Sequence, residues 1–197
     1  MKNVDALDLE KILQDDLQEH GLASIVDLIA RMSWWISPNV YSRIQVIYPK
    51  TRRKKGGNEK RDQIIDGIRL WDNQPASTAL WLAMGKTTKE IKNFFVCHIY
   101  EESVWLPDHF TNLANITAFP KSLQSLSEWK PISDVLKYHS YKIYGYKGPK
   151  NEIPSTPKYY PESWRYIDNP NQHDLEMIVK KLKDQAYRRP TYKFEKN

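Results

Sequence analysis

The chain has 197 residues, a hydrophobic fraction of 40% and a formal net charge of +6. This apolar content argues against a chain that is disordered throughout, and the single cysteine, Cys97, excludes an internal disulfide. No stretch reaches the ~20 apolar residues of a membrane-spanning helix, and the acidic start lacks the apolar segment of a signal peptide. We therefore expect a cytoplasmic protein that does not enter a membrane, and its positive charge favours a polyanionic partner.

Two amphipathic helices are predicted at the start of the chain, on either side of Gly21. Their apolar positions are Leu9, Ile12, Leu13 and Leu17, followed by Ile25, Leu28, Ile29 and Met32. After them, Ile44, Val46 and Tyr48 fall on alternate positions, and this spacing predicts a strand over 40–48.

A run of Lys and Arg residues around Gly56 and Gly57 is the next feature. Its members are Arg52, Arg53, Lys54, Lys55, Lys60 and Arg61. A mobile loop of this composition could follow a phosphate backbone, and these residues would then bind DNA. A hairpin tip whose charges face only solvent would have the same composition, so both interpretations stay open at this point.

The middle of the chain carries the strongest signals for regular structure. A helix is predicted over 77–84 because Gly85 can end it, and the segment NFFVCHIY predicts a strand over 93–100. A polar loop broken by Pro107 then precedes a very short strand over 116–119.

Three more helices and one proline-rich segment complete the predicted elements. Prolines at the first turn favour helices over 120–129 and 131–145. Prolines are frequent over 147–171, which favours a surface loop, and a last helix is predicted over 174–186.

The candidate site lies around the end of the strongest predicted strand. A histidine has a pKa near neutrality, so His98 could remove a proton from a water molecule that attacks a nearby phosphodiester. Asn115 follows after the polar loop, and Gln124 lies nine residues further on, within a predicted helix. Cys97 directly precedes His98 and is the fourth candidate residue of this site.

This pattern resembles the HNH, or ββα-metal, nucleases over roughly residues 64–146. His98-Ile99 is similar to the family's histidine and its aliphatic neighbour. Asn115-Ile116 is similar to the Asn-Leu pair ahead of the family's helix. The resemblance implies that His98 activates water and that Asn115 braces the loop that holds the histidine.

The resemblance also implies one divalent metal ion in each active site, with Cys97 and Gln124 at the ligand positions. Mg²⁺ is the ion we expect, and a thiolate ligand would favour Mn²⁺, Ni²⁺ or Zn²⁺. The implied fold is α+β, with two short strands and a helix forming a small ββα core inside a mostly helical domain. The expected activity is restriction-type cleavage of double-stranded DNA by a homodimer, with one active site for each strand.

Three regions are expected along the chain. They are an N-terminal helical region with the basic loop (1–60), the nuclease-like core (61–146), and a proline-rich segment with the C-terminal helix (147–197).

Two alternatives to this function stay open. The first is a DNA-binding protein with a degenerate, inactive nuclease fold, because Cys97 stands where the family usually has an acidic residue. The second is a PD-(D/E)xK nuclease, in which Asp108 and Glu128 would hold Mg²⁺ while Lys130 polarises water.

Overall fold

A computed structural model describes residues 9–169, together with Met177 and Lys180. Apart from those two helical positions, the predicted helix over 174–186 lies outside the described residues. The helices are α1 (Leu9–Asp16), α2 (Leu22–Met32), α3 (Pro38–Arg43), α4 (Gln74–Ala83), α5 (Pro107–Phe110) and α6 (Lys130–Tyr144). A π-helical turn (Leu17–Gly21) joins α1 to α2, and 3₁₀ turns cover Glu101–Trp105 and Lys121–Leu126. The strands are β1 (Trp34–Ile36), β2 (Thr51–Arg53), β3 (Ile64–Ile65), β4 (Ile68–Trp71), β5 (Phe94–His98), β6 (Ile116–Pro120) and β7 (Arg165–Ile167).

A four-stranded sheet in the order β5-β6-β1-β7 forms the centre of the fold. Strands β5 and β6 form an antiparallel hairpin, β1 is antiparallel to β6, and β7 is parallel to β1. The predicted α+β class is confirmed. Within the described part of the chain, no helix is long and apolar enough to cross a membrane.

The two faces of this sheet enter two different clusters of buried residues. Alternate side chains of a strand point to opposite faces, which separates Val96 from Cys97. The first cluster contains Ile116 and Ala118 and is covered by α3 and α4. The second contains Cys97 and Phe119 and is covered by α2 and α6.

Helix α6 confirms the helix predicted over 131–145. Pro131 occupies its first turn, and Gly145 ends it in the left-handed conformation, with φ 69°. The buried side of α6 includes His139, whose ring stacks on Trp164 with centroids 3.7 Å apart. His139 Nδ1 is also 2.8 Å from the Tyr160 hydroxyl, so the proline-rich segment is attached to α6.

Other elements differ from the sequence-based predictions. The strand predicted over 40–48 is wrong, because α3 occupies its first residues and the Ser37 hydroxyl caps that helix by accepting a hydrogen bond from Val40 N. Strand β7 lies inside the segment predicted to be a surface loop, where it pairs Arg165 with Trp34 of β1.

On α2, the buried residues are Val26, Ile29 and Ala30. Leu28 and Met32 belong to the predicted apolar face, but they are 36% and 37% exposed. The side of α2 that faces the core therefore only partly coincides with the apolar face predicted from the sequence.

The basic segment is folded, and the expectation of a mobile loop is wrong for its first part. Strand β2 pairs with β4 in parallel, and β3 pairs with β4 in a three-stranded sheet of order β2-β4-β3. This small sheet joins residues on both sides of the boundary expected at residue 60. The central sheet likewise joins β1, the β5–β6 hairpin and β7, which come from all three expected regions.

Candidate active site

His98 is the last residue of β5 and pairs with Ile116 of β6. Its partly buried ring lies parallel to the Phe110 ring, with centroids 5.5 Å apart. Phe110 belongs to the cluster on the α4 side of the sheet, so His98 faces that side and Cys97 faces the opposite one.

The hydrogen bond made by His98 determines which ring nitrogen can act as a base. Nε2 of His98 is 3.0 Å from the backbone carbonyl oxygen of Phe110. A carbonyl oxygen only accepts hydrogen bonds, so Nε2 carries the hydrogen and Nδ1 keeps its lone pair. Among the described residues, none is hydrogen-bonded to Nδ1.

Burial holds the His98 ring in its neutral form. Desolvation lowers the pKa of His98 to about 4, the bond to Phe110 opposes this shift, and the nearby Arg53 charge adds to it. The neutral imidazole has a free lone pair at pH 7, and its lowered pKa makes it a weaker base than an ordinary histidine.

Asn115 holds together the loop that connects β5 to β6. Its side-chain carbonyl accepts a hydrogen bond from Tyr100 N at 3.2 Å. Its amide nitrogen donates to Ser103 Oγ at 2.6 Å and to the His109 carbonyl oxygen at 3.0 Å. Because the Phe110 carbonyl belongs to the same loop, these bonds fix the partner of His98 Nε2.

A positively charged cleft lies beside this loop. Arg53 is exposed and sits over the Trp105 ring, 5.6 Å from the ring centroid. The cleft is lined by Arg53, Lys54, Gly56, Asp72, Asn73, Gln74, Ser77 and Trp105. Strand β2 therefore places Arg53 close enough for its charge to act on His98, although His98 is not among the residues that line the cleft.

The other arginines of the basic segment are already paired. Arg52 binds Glu59 through two hydrogen bonds of 3.0 and 2.7 Å, and the pKa of Glu59 is lowered to about 2, mainly by this contact. Arg61 lies 3.3 Å from an Asp72 oxygen.

Arg53, Lys54 and Lys60 remain available to an anion. Lys55 lies near the same carboxylate of Glu59, which receives a hydrogen bond from the Lys55 backbone N–H. Arg53, Lys54 and Lys60 form no salt bridge within the described residues. The available positive charge is therefore smaller than the composition of the segment suggests.

Cys97 does not fit the metal-ligand role that the resemblance implies. Strand β5 continues past it to His98, so its side chain is buried between the sheet and α6. Desolvation raises the pKa of the Cys97 thiol to about 12, although contact with Ser127 opposes the shift. Metal ions bind the thiolate, the form of Cys97 that this burial disfavours.

Gln124 does not supply the second half of such a site. It lies in the 3₁₀ turn Lys121–Leu126, where an α-helix over 120–129 was predicted, and its side chain is exposed. Within the described residues, no group of three or more His, Cys, Asp or Glu side chains could hold a metal ion. Cys97 and Gln124 therefore do not fit a divalent ion.

The PD-(D/E)xK alternative also lacks its structural context. Glu128 is exposed and precedes α6 instead of lying on a strand. Lys130 begins α6, and its ammonium is 2.6 Å from Asp134. Asp108 is an exposed residue of the short helix α5.

Comparisons of the chain with protein-family models, with curated proteins and with solved structures find no match. Function therefore has to be inferred from the geometry of the site. Two of its elements, the Phe110 carbonyl and the Trp105 ring, could not be found from sequence, because a backbone carbonyl leaves no residue-type signal and a lone tryptophan predicts core packing.

Proposed function

We propose that this protein hydrolyses phosphodiester bonds of DNA, with His98 as the general base. The observation that carries the proposal is the hydrogen bond from His98 Nε2 to the Phe110 carbonyl, which leaves Nδ1 as the basic nitrogen. The cationic cleft formed by Arg53 and Lys54 supports a polyanionic substrate.

The proposed cleavage step uses one histidine, one water molecule and one arginine. His98 Nδ1 takes a proton from water, and the water oxygen attacks phosphorus in line as the bond to the 3′ oxygen breaks. The leaving oxygen takes its proton from solvent, and the Arg53 guanidinium stabilises the charge on the phosphoryl oxygens. Because Cys97 and Gln124 do not fit a divalent ion, no step is assigned to one.

Duplex cleavage and dimer formation are part of the same proposal. A restriction-type enzyme that cuts both strands at a symmetric site needs two active sites, which a homodimer supplies. Light scattering on the purified protein, with and without duplex DNA, measures this directly. A cytoplasmic location remains a prediction from the lone cysteine.

The experiment is a plasmid-nicking assay with the wild-type chain, run in EDTA and with Mg²⁺, Mn²⁺, Ni²⁺ or Zn²⁺. Conversion of supercoiled DNA to the nicked or linear form in any lane supports the proposal. The lane in which conversion occurs identifies the ion requirement. Intact plasmid in every lane, with DNA bound in a parallel gel-shift assay, would contradict it.

The second candidate function is DNA binding without cleavage. It is favoured by one observation, the burial of the Cys97 side chain in the core, at the position where the resemblance implies a metal ligand. Intact plasmid together with salt-sensitive DNA binding is the outcome that this candidate predicts.

A further inference from the structure

A second groove lies on the same face of the central sheet as His98, at the opposite end of β5. Phe94 and His98 are four residues apart on one strand, so they are separated by ~13 Å. The groove is lined by Trp34, Trp81, Met84, Lys86, Lys89, Glu90, Ile91, Lys92, Phe94, Ala118 and Ile167. Neither the proposed cleavage step nor the basic segment uses any of these residues.

Three aromatic side chains line this groove. Trp34 and Phe94 are partly exposed, and both pack against the buried cluster beneath them. Trp81 also lines the groove and is only 6% exposed. Ala118 of β6 and Ile167 of β7 add small and aliphatic side chains to the lining. A flat aromatic ligand could stack on the Trp34 ring by displacing the exposed Arg165 side chain that lies over it, without displacing the core.

Three lysines line the groove, and one of them, Lys86, is paired with Glu90 at 3.8 Å. Lys86, Lys89 and Lys92 are exposed residues of the groove. The guanidinium of Arg165 lies over the Trp34 ring, 5.1 Å from its centroid. Glu90 is the acidic residue of the lining, and Thr87 N and Oγ1 both donate to it, at 2.8 and 2.7 Å.

Stacking rings beside a lysine rim are the combination that binds single-stranded nucleic acid. We propose that this groove binds an unpaired nucleobase of a single-stranded DNA segment, with the adjoining phosphates on Lys89 and Lys92. The identification of the nucleic acid as DNA rests on the proposed function.

The test measures the affinity of the intact chain for a labelled thymidine oligonucleotide of ~12 nucleotides in EDTA, by fluorescence anisotropy. Trp34→Leu keeps an apolar side chain but removes the stacking surface, so its affinity should fall ~10-fold. A second variant, Lys89→Gln with Lys92→Gln, should lower the salt dependence of log K by ~1.4, at ~0.7 for each lost contact.

A matched control variant also loses two lysine charges, at positions outside the groove. Lys150→Gln with Lys158→Gln replaces two exposed lysines outside the groove, and it should leave the salt dependence unchanged. Thermal melting checks that each variant is folded, and the lysine pair decides the question if Trp34→Leu does not fold.

Three results would overturn the proposal. They are wild-type affinity in the groove variants, an equal loss for the duplex of the same sequence, and equally tight binding of thymidine monophosphate. Failure of the proposed function is distinguishable, since the wild type would then bind the oligonucleotide through the groove without nicking plasmid. If only the groove proposal is wrong, the wild type would still nick plasmid, and these substitutions would not change the oligonucleotide affinity.

Discussion

Removal of the Asn115 side chain tests whether the β5–β6 loop is held as one unit. Asn115→Ala deletes the acceptor of Tyr100 N and the donor to Ser103 Oγ and to the His109 carbonyl. Asn115 is fully buried, so water cannot replace these bonds without opening the loop. Each unsatisfied buried group costs ~1–3 kcal/mol, and the three share one network, so we expect a loss of about 3–5 kcal/mol.

Urea unfolding followed by circular dichroism measures this loss. With a slope of ~2 kcal/mol per molar urea, the midpoint should fall by about 2 M at an unchanged slope. Asn39→Ala is the matched control, because Asn39 is exposed on α3 and its substitution should change stability by no more than ~0.5 kcal/mol. A loss below ~1 kcal/mol for Asn115→Ala would refute the idea that its side chain braces the loop.

Three further predictions follow from buried and charged groups. Arg53→Gln with Lys54→Gln should lower the salt dependence of duplex binding by ~1.8, at ~0.9 for each contact, whereas Arg52→Gln should change it little because Arg52 already pairs with a carboxylate. Cys97→Asp would bury a charge and should give an insoluble or unfolded protein, while Cys97→Ala should keep its activity. Burial lowers the pKa of His139 from 6.5 to about 3, so only the unfolded chain takes up that proton as pH falls below 6.5. The free energy of unfolding should therefore decrease by up to ~1.4 kcal/mol for each pH unit of acidification because of His139. In His139→Phe, this contribution to the pH dependence of stability should be absent between pH ~6 and ~5.

A specific result would contradict each of these three predictions. Equal salt dependence in the Arg53 pair and in the wild type would place those charges outside the DNA contact. A folded Cys97→Asp variant with Mg²⁺-supported cleavage would return Cys97 to the metal site. An unchanged pH slope for His139→Phe would mean that this ring is protonated in the folded protein.

Local patterns predicted the elements near the site well. NFFVCHIY contains β5, and the Pro131 and Gly145 signals enclose α6 to within a residue at each end. In both cases the decisive residues are close in sequence, so the pattern alone specifies the element. The Ser37-Pro38 signal for α3 was also present, but the alternating apolar residues that follow favoured a strand.

Contacts between distant residues explain what the sequence did not reveal. Strands β1 and β7 have three residues each and are formed by pairing between segments far apart in the chain. The bidentate pairing of Arg52 with Glu59 depends on the folded path of the segment, which composition does not specify. The two sides of β5 likewise separate Cys97 from His98 only because pairing with β6 continues to the last residue of the strand.

Cleavage of plasmid DNA by His98→Ala tests the central claim most directly, because it removes the proposed base, along with its contacts to Phe110. We predict that the cleavage rate falls ~10²–10⁴-fold while DNA affinity, measured on the same preparation, stays within the error of the wild type. Cleavage by His98→Ala at the wild-type rate would contradict the claim that His98 activates water.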